Sequence, residues 1–254
     1  MLFRSGNEID PVAIIIGLLE KMHIFPVSNP EHENFPLISN IFVSSALTPD
    51  FSEFLSQNSA YRHHCLVIFG NPPYSVSSPN KDPWIYRLMK EYAVDEPNIT
   101  RIYDDYIKFI RYAHYLLEAH GQGVLGYITN RKFLDGKIFY GMRHRLCKVF
   151  SAIYIVDLLG DSRNIKHSNE SIENIFGIQT GIAIVFFVKR KSDIASNSEM
   201  RELCPVYYAK ITGKSAEVQK LLQNGFEAQK FEQLSRKEEH TSELQSPNTI
   251  SYAV

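Results

Sequence analysis

Along this chain, short unbroken apolar runs alternate with segments whose apolar residues recur at helical spacing. The runs at 65–69, 124–129, 152–158 and 181–188 are rich in Val, Ile, Leu and Phe and read as strands. The first, ending in Leu66-Val67-Ile68-Phe69, reads as a strand buried on both faces, as in a parallel sheet. Residues 40–45 and 206–210 read as further strands. Asp82-Pro83 opens a helix to about Tyr92, with a capping acid and a proline in the first turn. Asp104-Asp105-Tyr106 starts another, amphipathic through Ile107, Ile110, Ala113 and Leu117, and Gly121-Gln122-Gly123 ends it. Helices are also expected behind Asp10-Pro11 to about Met22, over 50–60, over 136–150 and over 215–222. The 136–150 helix carries Lys137, Arg143, His144, Arg145 and Lys148; most of these charges are expected on a solvated face, with a DNA-facing role for some as the alternative. Strands alternating with helices define an α/β domain.

The run at 65–69 ends abruptly in Gly70-Asn71-Pro72-Pro73-Tyr74. Pro72 forces Asn71 out of the helical region, and neither proline offers an N–H. A stiff loop carrying a side-chain amide, backbone carbonyls and one aromatic ring therefore follows a strand's C-terminal end, where open α/β sheets bind their ligands. The reading without chemistry is a proline turn capping a core strand.

Asn71-Pro72-Pro73-Tyr74 after such a strand resembles the catalytic motif of S-adenosylmethionine-dependent amino-group methyltransferases, chiefly N6-adenine DNA methyltransferases. The stretches Asp104-Asp105-Tyr106, Leu134-Asp135-Gly136, Asn174-Ile175-Phe176 and Gln179-Thr180-Gly181 extend the resemblance to the methyltransferase domain of single-chain restriction-modification enzymes of the type IIG or type ISP kind, over about Glu8 to Leu234. The resemblance implies a Rossmann-like S-adenosylmethionine-dependent methyltransferase sheet with a C-terminal antiparallel hairpin, here lacking the first strand. It also implies that the Asn71 amide oxygen and the Pro72 carbonyl accept hydrogen bonds from the target amino group, with Pro73 stiffening the loop. Tyr74 would stack on a base flipped from double-stranded DNA; the alternative for it is a buried ring with a bonded hydroxyl. Phe133 would stand near the same base, or else in the core. Glu8 would bind the cofactor ribose, and Asn71 and Asp105 would line the cofactor site. For Glu8 and Asp105 a role at a helix N-terminus is the alternative. Arg131 and Lys132 would meet DNA phosphate. The third strand often carries an Asp in these enzymes, and residues 40–45 have none.

Composition bounds this picture. The chain has 254 residues, 44% of them hydrophobic, enough for one domain with a real core. A net charge of −1 gives no global basic signature, so contact with DNA would rest on a local patch. Cys65, Cys147 and Cys204 show no metal spacing and read as reduced, mostly buried thiols; no metal is expected. No apolar run approaches the roughly 20 residues of a membrane span, and the implied setting is a prokaryotic cytoplasm. Both ends look foreign: Glu238 to Ser246 reads like a translated sequencing adapter, and Leu2-Phe3-Arg4-Ser5 like its partner. The expected organisation is a partial catalytic domain over 6–191 and an extension over 192–235, lying beyond the catalytic sheet and leading to a missing target-recognition domain. Residues 1–5 and 236–254 would be adapter-derived. A nuclease part of the same polypeptide would also be missing.

The leading functional expectation is site-specific adenine N6-methylation by a fragment that is inactive alone if its cofactor loop is absent. Two rivals stand beside it: methylation of a protein glutamine side chain, which is also a planar amino group, and a non-catalytic truncated scaffold that binds DNA.

Overall fold

The computed structural model describes residues 47, 53, 57, 65–74, 80–93, 99–159, 180–191, 202–211 and 231–234. Expectations for Glu8, the helix behind Asp10-Pro11, the strand at 40–45, the helix at 215–222 and both termini lie outside them. Of the 50–60 helix, Glu53 and Gln57 are described, and both are helical.

The chain runs through strand β1 (Leu66–Gly70), helix α1 (Pro83–Met89), a 3-10 turn (Ile99–Tyr103), helix α2 (Asp105–His120) and strand β2 (Gly123–Asn130). Short 3-10 turns at Arg131–Phe133 and Lys137–Phe139 lead into helix α3 (Tyr140–Val149). Strands β3 (Ala152–Asp157), β4 (Ile182–Lys189), β5 (Val206–Lys210) and β6 (Glu232–Gln233) follow.

Among the described residues, one six-stranded sheet has the order β1-β2-β4-β3-β5-β6. β1 and β2 are parallel, and β4 inserts antiparallel to both β2 and β3. β3 and β4 thus form the expected antiparallel pair, but they do not close the sheet. β5 pairs parallel with β3, and β6 adds to β5. The 206–210 strand therefore belongs to this sheet instead of lying beyond it. Its buried Val206 and Ala209 and the free backbone edge of β3 explain the placement.

The core lies where α2 and α3 meet one face of the sheet. Leu125, Phe187 and Ile153 align across three strands, as do Tyr127, Val185 and Ile155, and all belong to one cluster with Ile107, Ile110, Leu117 and Leu146. Burial of each such side chain stabilises the fold by about 1.5–3 kcal/mol. β1 departs from the sequence reading. Val67 and Phe69 are 39% and 43% exposed, while Leu66 and Ile68 pack on the core. Its apolarity is continuous, yet it stands at the end of the described sheet with one face open. Cys65 is also exposed, unlike the buried Cys147 and Cys204.

Local signals explain the helix ends. Asp82 caps α1, its carboxylate accepting the Trp84 N–H at 2.7 Å. Gly121 ends α2 at φ 89°, its N–H bonding the Leu117 carbonyl. Gly123 then brings β2 against β1, where a Cβ would come within 2.1 Å of the Leu66 carbonyl oxygen. α2 is buried on more than its apolar stripe. Lys108, Arg111 and His114 are all enclosed, with polar partners on α1 and the segments flanking it. α3 likewise hides Arg143, whose guanidinium donates to the Phe133 and Gly136 carbonyls at 2.9 and 2.7 Å. That arginine braces a turn and is not part of a solvated face.

Candidate active site

β1 delivers the Asn-Pro-Pro-Tyr loop at the C-terminal end of a parallel strand. Asn71 and Pro73 are exposed, Pro72 is buried and Tyr74 is half-buried, its ring packed against the core. The Tyr74 hydroxyl lies 2.7 Å from Asn71 Oδ1 and 3.2 Å from the Ile128 carbonyl oxygen. Burial pushes the Tyr74 hydroxyl well above its ordinary pKa, so it stays a proton donor, shared between these acceptors. Parallel pairing of β1 with β2 sets this geometry, because Gly70 lies opposite Tyr127 and Ile128 follows directly. The Asn71 amide is thereby oriented by its own motif. Its oxygen keeps a second lone pair for another donor.

At the start of α2, Asp105 is buried and accepts a hydrogen bond from the Asn80 amide at 3.0 Å. Lys108, also buried, donates to the Asn80 carbonyl and lies 4.6 Å over the Tyr86 ring. Asp105 and Lys108 therefore grip one residue downstream of the motif. Asp104 occupies the N-cap position without making a side-chain cap bond. Its Oδ1 is buried with no hydrogen-bond partner, and burial raises its carboxyl to about 6.

At the end of β2, Asn130 caps the following turn by accepting the Lys132 N–H at 3.0 Å. Lys132 is half-buried. Phe133 is 2% exposed and sits in the main core, the second of its two expected fates. Arg131 is not presented to solvent as a free cation. Its Nε and Nη2 bind the Asp157 carboxylate at 2.9–3.1 Å, and Nη1 binds Asp135 at 2.9 Å. Two carboxylates in reach of a planar fork account for that commitment. Asp157 also accepts the Tyr208 hydroxyl and the Leu159 N–H, at 2.9 and 3.0 Å.

The structure thus gathers Asn71, Tyr74 and the end of β2 at one place. Asp105 faces the segment after the motif. Lys108, Asp157 and Tyr208 went unassigned in the sequence. Asp157 carried a signal, an acid inside an apolar strand run. Among the described residues, no three His, Cys, Asp or Glu side chains stand close enough to hold a metal ion. No helix among them is long and apolar enough to cross a membrane.

Fold and site together define an α/β sheet protein with a proline-stiffened amide at the C-terminal end of a parallel strand. Residues 49–165 match the family described as Eco57I restriction-modification methylase. Among solved structures, the chain resembles the ATP-dependent Type ISP restriction-modification enzyme LlaBIII bound to DNA, with 26% identity and a TM-score of 0.56, over 68% of this chain and 12% of that one. It also resembles a nuclease-deletion mutant of the Type ISP enzyme LlaGI in complex with a DNA substrate mimic, with 26% identity and a TM-score of 0.58, over 70% and 15%. The DrdV–DNA complex shares the fold at 23% identity and a TM-score of 0.58, over 73% and 19%. No curated protein matches the chain. The chain spans less than a fifth of each of these solved chains. Residues 49–165 are thus similar to the methylase part of restriction-modification enzymes.

Proposed function

We propose that this chain carries the methyl-accepting part of a site that methylates the N6 amino group of adenine in double-stranded DNA, within a restriction-modification enzyme. The observation that carries the reading is the exposed Asn71 amide, oriented by the Tyr74 hydroxyl at the C-terminal end of β1. An exocyclic amino group is a poor nucleophile because its lone pair is delocalised into the ring. Asn71 Oδ1 and the Pro72 carbonyl accept its two N–H bonds, which favours a pyramidal nitrogen and returns density to it. Tyr74 and the prolines hold these acceptors in place, so little reorganisation is needed at the moment of attack. The family and the DNA-bound relatives support DNA as the substrate.

S-adenosylmethionine, when bound, supplies an electrophilic methyl group. The residues present fit it in one respect: the unpartnered buried oxygen of Asp104 suits a cationic amino group. Asn71, Glu8 and Asp105 complete the proposed cofactor set; the Asp105 carboxylate also accepts the Asn80 amide. Lys132 remains the proposed phosphate contact. The target-recognition and nuclease parts belong to the parent polypeptide in this reading.

The test is transfer of labelled methyl from S-adenosylmethionine to duplex DNA by the parent enzyme that carries this segment, followed by nucleoside analysis. Label in N6-methyladenine is the expected outcome. Label in a glutamine peptide and none in DNA would replace this reading with protein methylation. DNA binding with label in neither would leave a non-catalytic scaffold.

A further inference from the structure

Arg131 follows β2 directly, three residues after the Ile128 carbonyl that holds Tyr74. Its side chain makes a paired, two-pronged contact with an Asp157 carboxylate that is fully buried, and its backbone N–H donates to the Gly181 carbonyl at 3.0 Å. The same carboxylate holds the Leu159 N–H. Leu159 has φ 56°, a conformation that non-glycine residues rarely adopt, and its carbonyl accepts the Ile182 N–H at 2.9 Å. Gly181 lies so close beneath Arg131 that a Cβ would come within 2.5 Å of Arg131 Cδ. The C-terminal ends of β2 and β3 and the entry to β4 therefore converge on one ion pair at the ligand end of the sheet.

We propose that Arg131, with Asp157, is a positioning residue for methyl transfer: the pair fixes the end of β2, and through Ile128 it holds Tyr74 and Asn71 in their reactive geometry. This rests on the methyltransferase reading above. It assigns the Arg131 guanidinium to an internal brace and leaves phosphate contact to other cations. A brace needs the planar fork, because only the guanidinium reaches both Asp157 oxygens and Asp135 at once. A phosphate contact needs only a positive charge.

Arg131→Lys and Arg131→Met therefore separate the two roles. As a brace, both variants lose kcat, by about 100-fold for Arg131→Met, the effect of a small misplacement. The KM for DNA and its salt dependence then stay near wild type. Asp157→Asn reproduces the loss, and combining it with Arg131→Met adds little. The contrary result is rescue by lysine, with Arg131→Met raising KM and lowering the salt slope by about 1 at unchanged kcat; that overturns the proposal. Hydrogen exchange at the Leu159 and Ile182 amides gives a second reading that needs no activity. Protection is expected to fall by at least about tenfold in Arg131→Met while the α2 amides keep theirs, since opening is then local. Unchanged protection at both amides overturns the brace. If the parent enzyme carrying this segment transfers no methyl group, the functional reading fails, and the exchange result alone decides the brace.

Discussion

The Tyr74 hydroxyl and the Asn71 side-chain oxygen are 2.7 Å apart, so the aromatic residue of the motif orients the amide three residues before it. A tyrosine there can serve in two ways, through its ring and through its hydroxyl. Tyr74→Phe removes only the second. Its kcat for methyl transfer is expected to fall by about tenfold, the worth of one hydrogen bond at about 1–1.5 kcal/mol. Tyr74→Ala also removes the ring that packs on the core, and with it the proposed stacking on the base, worth about 1–3 kcal/mol, and is expected to weaken transfer further. Steady-state kinetics on DNA check both; equal activity of Tyr74→Phe and wild type would remove the hydroxyl from the account.

Gly123 permits the close approach of β2 to β1. A Cβ there would sit 2.1 Å from the Leu66 carbonyl oxygen and 2.5 Å from Leu117 Cδ2, with φ at 155°. The carbonyl is main chain inside a ladder and cannot yield. Gly123→Ala is expected to destabilise the fold by about 3 kcal/mol or more. Gly70 is the control, because a Cβ there meets only the Tyr127 ring at 3.5 Å. Urea midpoints of the two alanine variants are expected to differ clearly, with Gly70→Ala near wild type.

His114 is wholly buried, and burial lowers its pKa to about 4. Its Nδ1 meets the Tyr92 hydroxyl at 2.8 Å, and its Nε2 stands 3.2 Å from Glu118. Burial alone would raise the Glu118 carboxyl; contact with His114 and the Arg145 and Arg111 charges reverse that and hold it at about 2. With His114 neutral above pH 4, Arg145 at 2.8 Å is the stronger support for that carboxylate. Between pH 6.5 and 4 the unfolded chain takes up a proton on His114 that the folded chain does not. Stability is therefore present in full above about 6.5 and falls toward pH 4, by about 3 kcal/mol from this group. His114→Gln is expected to flatten that window in a comparison of unfolding free energy against pH. Parallel curves for the two proteins would contradict the assignment.

Much of the sheet was legible in the sequence because its strands are unbroken apolar runs. The placement of β5 was not, since a run of five residues does not announce which edge it will join. Arg131 and Phe133 have the residue types that a nucleic-acid site uses. What decides their fate lies far along the chain, Asp157 for Arg131 and the packed helices for Phe133. Lys108 and Arg111 fall on the polar side of an amphipathic pattern, and only the fold reveals the neighbouring chain that encloses them. The Asn-Pro-Pro-Tyr motif was legible because its chemistry is local. Three of its features, strand end, proline stiffness and amide, lie within five residues.

Asn71→Ala tests the account most directly, by cofactor titration and labelled methyl transfer to DNA on the same preparation. A loss of transfer of at least about 100-fold is expected, the scale of removing one preorganised polar group, and it is expected to exceed by far any loss of S-adenosylmethionine affinity. Turnover like that of wild type would contradict the role of Asn71 as the acceptor that activates the amino group.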